Sequence, residues 1–173
     1  MIMETERLYL RELCESDYGS LCQILQDEDV MYAYGHAFEC EEVHQWLNRQ
    51  LDRYQQYGFG LWAVILKENQ EMIGQCGLTM QDIGNEQVLE VGYLFRKDFW
   101  HNGYAIESAK ACKEYAFEML GADKVYSIIR DNNVLSQKVA VRNGMIEVGE
   151  MVKHYNGIDM PHIIYCVEKE GRS

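Results

Sequence analysis

The stretch LEVGYLFRKDFWHNGYAIESA, residues 89–109, decides the fold. It begins as an apolar run, passes through a short polar turn and reaches Asn102-Gly103-Tyr104-Ala105, where the pattern predicts that a helix begins. A glycine at a strand-to-helix junction lets backbone N–H groups approach a ligand, and a helix N-terminus carries about half a positive charge. Together they predict a cradle for a phosphate or diphosphate, although one glycine before a helix is equally typical of an ordinary turn.

Composition bounds the possible classes of function. At 173 residues, with 47% hydrophobic residues, the chain is long enough to bury a core, and we expect one domain over 1–173. The 16 lysines and arginines stand against 28 acidic residues, which gives a formal net charge of −12. Nucleic-acid binding needs a basic footprint, so we expect no nucleic-acid partner. A negative surface favours encounter with amines or basic peptides, or serves solubility alone.

The six cysteines are scattered singly, with no C-x-x-C pair and no metal-ligand spacing, so the sequence predicts no metal site. Most lie in apolar patterns that are typical of small buried hydrophobic residues. The segment 1–12 is too polar for a signal peptide, and no apolar run approaches the ~18 residues of a membrane span. We therefore expect a reduced cytoplasmic protein with no membrane partner.

The N-terminal half predicts a strand, two helices and a hairpin. Leu8 and Leu10 alternate with polar neighbours, as in a strand, and Ser16 is placed to cap a helix. A second helix follows the acidic pair Glu41-Glu42, which suits the positive end of a helix dipole. The remaining elements of this half are strands over 61–66 and 72–78, joined by a turn, and a polar loop over 82–87.

The middle of the chain predicts a β–α–β unit. An apolar strand over 88–95 leads to a helix that begins at Tyr104 or Ala105 and that Gly121 ends. A second apolar strand covers 125–129. A strand, a helix and a strand in this order predict a parallel pair with a right-handed crossover.

The last section predicts a short helix and a hairpin. The helix covers 134–142 and ends at Asn143-Gly144. Strand-like runs over 148–155 and 158–167 are joined by Asn156-Gly157, the strongest short hairpin signal. The predicted fold class is therefore α/β, with a central mixed sheet that is antiparallel at its two ends and parallel in its middle.

Three motifs follow one another along these elements: EVGY at 90–93, WHNGYA at 100–105, and NVLS at 133–136 with RNGM at 142–145. In this order and spacing they resemble the GNAT superfamily of N-acetyltransferases, and within it the ribosomal-protein N-acetyltransferases. The phrases TERLYLR at 5–11 and GFGLW at 58–62 resemble the same subgroup. The resemblance covers nearly the whole chain.

The resemblance implies a GNAT fold whose mostly antiparallel sheet is splayed in the middle, between the strands 88–95 and 125–129, with acetyl-CoA bound in the split as co-substrate. The pantetheine arm of the cofactor would pair with the backbone near Tyr93, and its diphosphate would lie on the amides around Gly103. Asn133 would hold the cofactor or the strand end, or would cap the next helix. The residues implied to bind acetyl-CoA are Tyr93, Leu94, Phe95, His101, Asn102, Gly103, Tyr104, Ala105 and Asn133.

The sequence departs from the family pattern twice. The family often has glycine where His101 stands, and the ring either binds a phosphate or the adenosine edge, or belongs to a surface turn. Many members also place a tyrosine seven residues beyond the position of Asn133, as the acid that protonates the departing thiol. Here that position is Ala140, so Ser136, as in the subgroup, becomes the candidate for this role.

Amine acetylation also needs a proton acceptor, because a protonated amine cannot attack a thioester and a free lysine amine has a pKa of about 10.4. Glu90 on the cofactor strand is the candidate base, and its alternative is a polar residue that alternates on a half-buried strand. Glu107 is interpreted as a first-turn residue that complements the helix dipole. His162 either borders the acceptor pocket or is a core or surface histidine.

The sequence therefore predicts an acetyl-CoA-dependent N-acetyltransferase that transfers acetyl directly to a primary amine in a ternary complex. The acceptor is left open among a protein N-terminus, a polyamine, an amino sugar and a small metabolite, since a fold identifies the donor better than the acceptor. Acidic loops at 27–29 and 38–42 favour a cationic acceptor. A non-catalytic coenzyme A-binding module and a transferase for longer acyl groups are the alternatives, and the subgroup suggests a homodimer.

Overall fold

The computed structural model describes residues 1–171, in which eight strands form one sheet and five α-helices pack around it. The strands are β1 (Met3–Glu4), β2 (Leu8–Arg11), β3 (Leu61–Leu66), β4 (Glu71–Ile83), β5 (Glu86–Phe95), β6 (Lys124–Arg130), β7 (Ile146–Tyr155) and β8 (Ile158–Glu168). The helices are α1 (Tyr18–Leu25), α2 (Glu28–Met31), α3 (Cys40–Tyr57), α4 (Tyr104–Glu118) and α5 (Val134–Arg142).

The strand order is β1-β2-β3-β4-β5-β6-β8-β7, and every neighbouring pair is antiparallel except β5 and β6. These two parallel strands pair at a single position, Glu90 opposite Tyr126, whereas β4 and β5 pair along their whole length. The two strands therefore diverge on the C-terminal side of Glu90. The predicted mixed sheet, splayed between these two strands, is confirmed.

The core lies on both faces of the sheet, and β3 contributes to both. Because successive side chains of a strand point to opposite faces, an entirely buried strand reads as a continuous apolar run. One face packs against α1 and α3, and the other packs against α4. Leu61, Ala63 and Ile65 belong to the first cluster, and Trp62, Val64 and Leu66 belong to the second. Among residues 1–171, no helix has the length and apolar character that crossing a membrane requires.

The predicted helix cap at Ser16 is wrong. Ser16 lies inside a 3-10 turn, Glu15–Asp17, and α1 begins after the buried Asp17. The Asp17 carboxylate accepts hydrogen bonds from both Arg11 Nη atoms, at 2.8 and 2.9 Å, and from the Cys14 N–H at 2.9 Å. Burial raises the pKa of this carboxyl, but these hydrogen bonds outweigh burial and lower the pKa overall. A charged acceptor held by a guanidinium fixes this turn more strongly than a serine hydroxyl does.

The predicted polar loop over 82–87 is also wrong. β4 continues to Ile83 and β5 begins at Glu86, with a two-residue turn whose Gly84 has a φ of 60°. This end of the ribbon extends beyond the core, and backbone pairing alone maintains it, so side-chain polarity does not mark its end. By contrast, the predicted hairpin turn Asn156-Gly157 is confirmed, with φ angles of 49° and 74°.

Candidate functional site

The separation of β5 from β6 leaves one edge of β5 without a neighbouring strand. β4 hydrogen-bonds the other edge, where Gln75 lies opposite Leu94 and Cys76 opposite Tyr93. At the beginning of the split, the Ser127 hydroxyl donates to the Val91 carbonyl at 2.8 Å. An unpaired strand edge presents N–H and C=O groups to any extended ligand, so the backbone around Tyr93 and Leu94 is available for such a contact.

Two cavities open along this split. One, the hairpin cavity, has a volume of about 420 Å³ and lies next to the β7–β8 hairpin. The other, the turn cavity, has a volume of about 270 Å³ and lies against the turn that precedes α4. The hairpin cavity is lined by Tyr34, Arg53, Glu90, Lys153 and His162, and the turn cavity by Phe99, His101, Gly103, Tyr104 and Arg142. Tyr93, Leu94, Asn133 and Ser136 line both, so the cavities meet at these four residues.

The turn before α4 presents free backbone donors to the turn cavity. Gly103, at the N-cap of α4, has a φ of 79°, and His101 has a φ of 62°. The first backbone hydrogen bond of the helix runs from the Glu107 N–H to the Gly103 carbonyl at 3.1 Å. The preceding N–H groups therefore have no partner within the helix, and no side chain caps them. This arrangement suits an anion.

The residues predicted to bind a cofactor gather in this cavity, with one exception. Asn102 does not line either cavity, and its amide donates to the carbonyls of Phe99 and Trp100 at 3.2 and 2.9 Å. Its side chain closes the turn rather than facing the cavity. Those that do line the turn cavity are Tyr93, Leu94, Phe95, His101, Gly103, Tyr104, Ala105 and Asn133.

Two basic residues that sequence reasoning missed also line the turn cavity. Lys138 and Arg142 lie one helical turn apart on α5, opposite the start of α4. Neither lies within 4.0 Å of a carboxylate of residues 1–171. Their i, i+4 spacing after the Asn133 motif is a signal that the sequence does contain. A double positive charge facing an anion cradle strengthens the match to a diphosphate.

Comparison of the sequence with known protein families identifies a family that fits this geometry. The model of the Acetyltransferase (GNAT) domain matches residues 7–146. The chain belongs to the GNAT acetyltransferase family. YkkB of Bacillus subtilis is 36% identical to it over 142 residues, which cover 82% of this chain and 83% of that protein. Members of the GNAT family use acetyl-CoA as the acetyl donor.

Two solved structures extend the likeness to the whole fold. A GNAT acetyltransferase from Bacillus anthracis superposes with a TM-score of 0.82 at 22% identity, covering 98% of this chain and 99% of that one. The RimL ribosomal L7/L12 α-N-protein acetyltransferase, solved in complex with coenzyme A, superposes with a TM-score of 0.77 at 20% identity, covering 96% and 97%. The fold-level resemblance to GNAT and ribosomal-protein acetyltransferases is thus confirmed.

Glu90 lies where this GNAT sheet begins to split. Its Oε2 accepts a hydrogen bond from the Ile128 N–H on β6 at 2.6 Å, so the carboxylate replaces a missing strand partner. Burial raises the pKa of the Glu90 carboxyl, while Lys153, the Ile128 N–H and Arg53 act in the opposite direction. A carboxyl with a raised pKa in a cleft is typical of a proton acceptor, and its bond to Ile128 also gives it a structural role.

Ser136 lies at the junction of the two cavities, on the first turn of α5. The Asn133 Oδ1 caps this helix by accepting from the Ser136 N–H at 3.2 Å, and the Tyr93 hydroxyl donates to the Ser136 carbonyl at 2.7 Å. The Ser136 hydroxyl itself makes no hydrogen bond with residues 1–171. Capping therefore depends on Asn133 and on the Ser136 backbone, and the hydroxyl is left for a ligand.

Glu107 connects the N-terminal segment to α4. Its Oε1 accepts from the Thr5 hydroxyl at 2.8 Å and from the Arg7 N–H at 2.9 Å, and its Oε2 accepts from the Arg7 guanidinium at 2.8 Å. Burial raises the pKa of this carboxyl, but the hydrogen bonds outweigh it and lower the pKa overall. The Arg7 guanidinium also stacks on the Tyr104 ring at 4.3 Å. The residue thus fixes the start of α4 and does not reach the cavity junction.

His162 lines the hairpin cavity and is 8% exposed. Its Nδ1 lies 2.7 Å from the Met160 carbonyl, and a carbonyl can only accept, so we assign the proton to Nδ1. Burial lowers the pKa of the imidazole, although the bond to Met160 opposes this. The neutral ring then has a free lone pair on Nε2. His162 is therefore a buried histidine that also lines the hairpin cavity, so both alternatives stay open.

Proposed function

We propose that this protein transfers the acetyl group of acetyl-CoA to a primary amine, directly and in a ternary complex. The observation that carries the proposal is the meeting of two cavities at Tyr93, Leu94, Asn133 and Ser136. One cavity suits the donor and the other suits the acceptor, so the thioester and the amine would meet at the junction. Holding two reactants in contact supplies much of the rate enhancement of such a transfer.

The donor is assigned to the turn cavity because of its charge and shape. The free N–H groups at the start of α4 would bind the diphosphate, with Lys138 and Arg142 opposite. The pantetheine arm would extend along the unpaired edge of β5 near Tyr93 and Leu94. Phe95 would contribute mainly its N–H, because the Trp100 indole already donates to its carbonyl at 2.9 Å.

The residues around the junction support direct transfer. None of the residues of 1–171 that line the two cavities is a cysteine. Cys76 and Cys112, for example, lie in the core with their sulfur atoms 3.6 Å apart. No thiol is therefore placed to carry the acetyl group between donor and acceptor, which supports attack by the amine on the thioester itself.

The chemistry assigns one role to each of two side chains. The neutral amine attacks the thioester carbonyl, and Glu90 accepts the amine proton directly or through water. The C–S bond of the tetrahedral intermediate then breaks, and the electron pair leaves with sulfur. The Ser136 hydroxyl donates a hydrogen bond to the departing thiolate, which is a weak base because a thiol of this kind has a pKa of about 8.5.

An acceptor screen with detection of free thiol tests the proposal. The panel includes polyamines, basic peptides, amino acids and amino sugars, each assayed with acetyl-CoA and with a longer acyl-CoA. We expect amine-dependent thiol release with acetyl-CoA. Tight binding of acetyl-CoA by calorimetry together with a silent panel would instead support a non-catalytic binding module. Faster release with the longer donor would support the longer-chain transferase.

A further inference from the structure

The cationic side chains of this protein have an uneven distribution of partners. Most lysines and arginines form ion pairs, such as Arg7 with Glu107 and Arg11 with Asp17, both at 2.8 Å. Within residues 1–171, every lysine or arginine that lacks a carboxylate within 4.0 Å lines one of the two cavities, except Lys110. These residues are Lys138 and Arg142 in the turn cavity, and Arg49, Arg53 and Lys153 in the hairpin cavity.

This distribution is unexpected in a chain with a net charge of −12. Carboxylates outnumber basic residues, so an unpaired cation is not explained by a shortage of anions. The cations of the turn cavity face the region proposed for the diphosphate. By the same physical argument, the cations of the hairpin cavity are available to an anion from outside residues 1–171.

The two carboxylates that line the hairpin cavity are already engaged. Glu42 lies 2.8 Å from His36 and accepts from the Glu39 N–H at 3.1 Å, at the first turn of α3. Glu90 accepts from the Ile128 N–H, and burial raises the pKa of its carboxyl. Neither carboxylate forms an ion pair with a cation of this cavity, which leaves the cavity with an excess of positive charge.

The cations come to the cavity from two different elements. Arg49 and Arg53 lie one turn apart on α3, and Lys153 lies on β7. Arg53 is half-buried, burial lowers the pKa of its guanidinium, and its only hydrogen bond in residues 1–171 runs to Gln50 Oε1 at 3.1 Å. A half-buried guanidinium with one neutral partner is costly to desolvate, and a bound anion would offset this cost.

We propose that the acceptor is a small amine that also carries an anionic group, a carboxylate or a phosphate, and that Arg53 and Lys153 bind this group. The inference rests on the proposed function and specifies its substrate class. Both cations line the same cavity as Glu90, so one small molecule could present its amine to Glu90 and its anionic group to the cations, as an α-amino acid would. Of the acidic loops at 27–29 and 38–42, Phe38 and Glu42 line this cavity, and Glu42 is already engaged by His36 at 2.8 Å.

Acceptors matched in size test this proposal, with every rate expressed per unprotonated amine because the anion also raises the pKa of the amine. Phenylalanine is compared with phenylalaninamide, and O-phosphoethanolamine with ethanolamine, by thiol release at saturating acetyl-CoA. We expect the anionic member of at least one pair to have a kcat/KM at least about tenfold higher. The pair that shows the preference identifies the anion as carboxylate or phosphate. Equal rates within both pairs, or faster turnover of the neutral members, would overturn the inference.

Variants of the cavity cations test which residues produce the preference for the anionic acceptor. Arg53→Gln and Lys153→Gln should reduce it at least about fivefold, with the Kd of acetyl-CoA unchanged. Arg53→Lys, which keeps the charge, should retain most of the preference and also controls for misfolding. Lys110→Gln removes an unpaired cation outside both cavities and should leave the preference intact. If Arg53→Gln and Lys153→Gln both keep the full preference, the anion binds elsewhere and the assignment fails.

A binding measurement separates this inference from the proposed function. N-acetylphenylalanine and N-acetylphenylalaninamide, and likewise the acetylated phosphate pair, are titrated by calorimetry into protein saturated with coenzyme A. Tighter binding of an anionic product, lost in Arg53→Gln, supports the inference even if no amine is turned over, in which case only the catalytic function fails. Turnover without anion selectivity leaves the catalytic function intact and rejects the inference.

Discussion

The two cavities differ in how the chain builds them. The turn cavity comes largely from two short stretches, 93–106 and 133–142, and its anion cradle is made of backbone N–H groups. The hairpin cavity combines side chains from α3, from the middle strands β4, β5 and β6, and from the β7–β8 hairpin. Backbone donors at a helix start present one chemistry whatever the neighbouring side chains are, whereas a wall of side chains changes with every substitution. The donor side can therefore be common to a family while the acceptor side differs between its members.

Replacing Glu90 gives the largest expected effect and tests the acceptor side. Glu90→Gln keeps an oxygen that can accept from the Ile128 N–H but removes the proposed proton acceptor. We expect turnover to fall by about 10²-fold, the low end for general base catalysis, with the Kd of acetyl-CoA unchanged. Steady-state rates over pH 6 to 9 and calorimetry provide the two measurements. Near-normal turnover across this pH range would show that His162 or water, and not Glu90, accepts the amine proton.

Glu90→Gln should also change the thermal stability of the protein, in a direction that depends on pH. The pKa of Glu90 is raised in the folded protein, so the protonated form contributes stability at low pH that is lost as the pH rises through the folded pKa. At neutral pH the buried charge is a cost, and Glu90→Gln removes it. We expect a higher Tm than the parent at pH 8 and a smaller difference at pH 5. A Tm at pH 8 that is equal to or lower than that of the parent would show that the charged carboxylate stabilises the fold through its bond to Ile128.

Ser136 tests the junction between the two sides. Its hydroxyl makes no hydrogen bond in residues 1–171, and Asn133 already caps α5. We expect Ser136→Ala to lower turnover about 10-fold to 100-fold, because one donor to a developing charge is removed and coenzyme A is a good leaving group. The Tm and the Kd of acetyl-CoA should stay close to those of the parent. A lower Tm with an unchanged rate would show that the residue only supports the helix.

Gly103 tests the donor side. In Gly103→Val the new Cβ would lie 3.4 Å from the Arg7 guanidinium, at a φ of 79° that β-branched residues avoid. We expect the Kd of acetyl-CoA to rise at least about tenfold, or 1.4 kcal/mol, with the fold retained. Gly121→Val is a matched control, because Gly121 has a φ of 69° and open space around it, away from both cavities. If both variants bind acetyl-CoA equally well, the backbone cradle is not the cofactor site.

Sequence reasoning succeeded where local pattern and long-range packing agree. The buried run of β3, the β5–α4–β6 unit and the Asn156-Gly157 hairpin all follow from residues that are close in the chain. The backbone geometry of the turn cavity, where we propose that the donor binds, was likewise predictable, since its glycine, turn and helix start are contiguous. Sequence reasoning failed at Ser16, where the buried Asp17, paired with Arg11, replaces the serine as the group that fixes the turn. It also failed at 82–87, where backbone pairing continues under polar side chains.

The acceptor side was not predictable for a different reason. Arg53 and Lys153 are 100 positions apart, each reads as an ordinary exposed residue of an amphipathic element, and only the fold brings them to one cavity. The net negative charge favoured a cationic acceptor, because net charge reflects the whole surface and not the lining of one cavity. His162 was named as a possible border residue, but its lone pair and tautomer depend on the Met160 carbonyl, a contact within β8 that no spacing specifies.

Replacing His101 gives the smallest expected effect. It tests whether the anion cradle depends on backbone N–H groups alone. Its φ of 62° costs a residue with a Cβ about 1 kcal/mol, whereas glycine loses a similar amount through the entropy of the unfolded chain. His101→Gly should therefore leave the free energy of unfolding within about 1 kcal/mol of the parent. The ring is exposed and makes no hydrogen bond in residues 1–171, so we expect the Kd of acetyl-CoA to change less than about threefold. His101→Asn, which tolerates the same backbone angle, provides the matched control. If the Kd rises at least about fivefold in both variants, the ring itself binds the cofactor, and the donor side depends on a side chain after all.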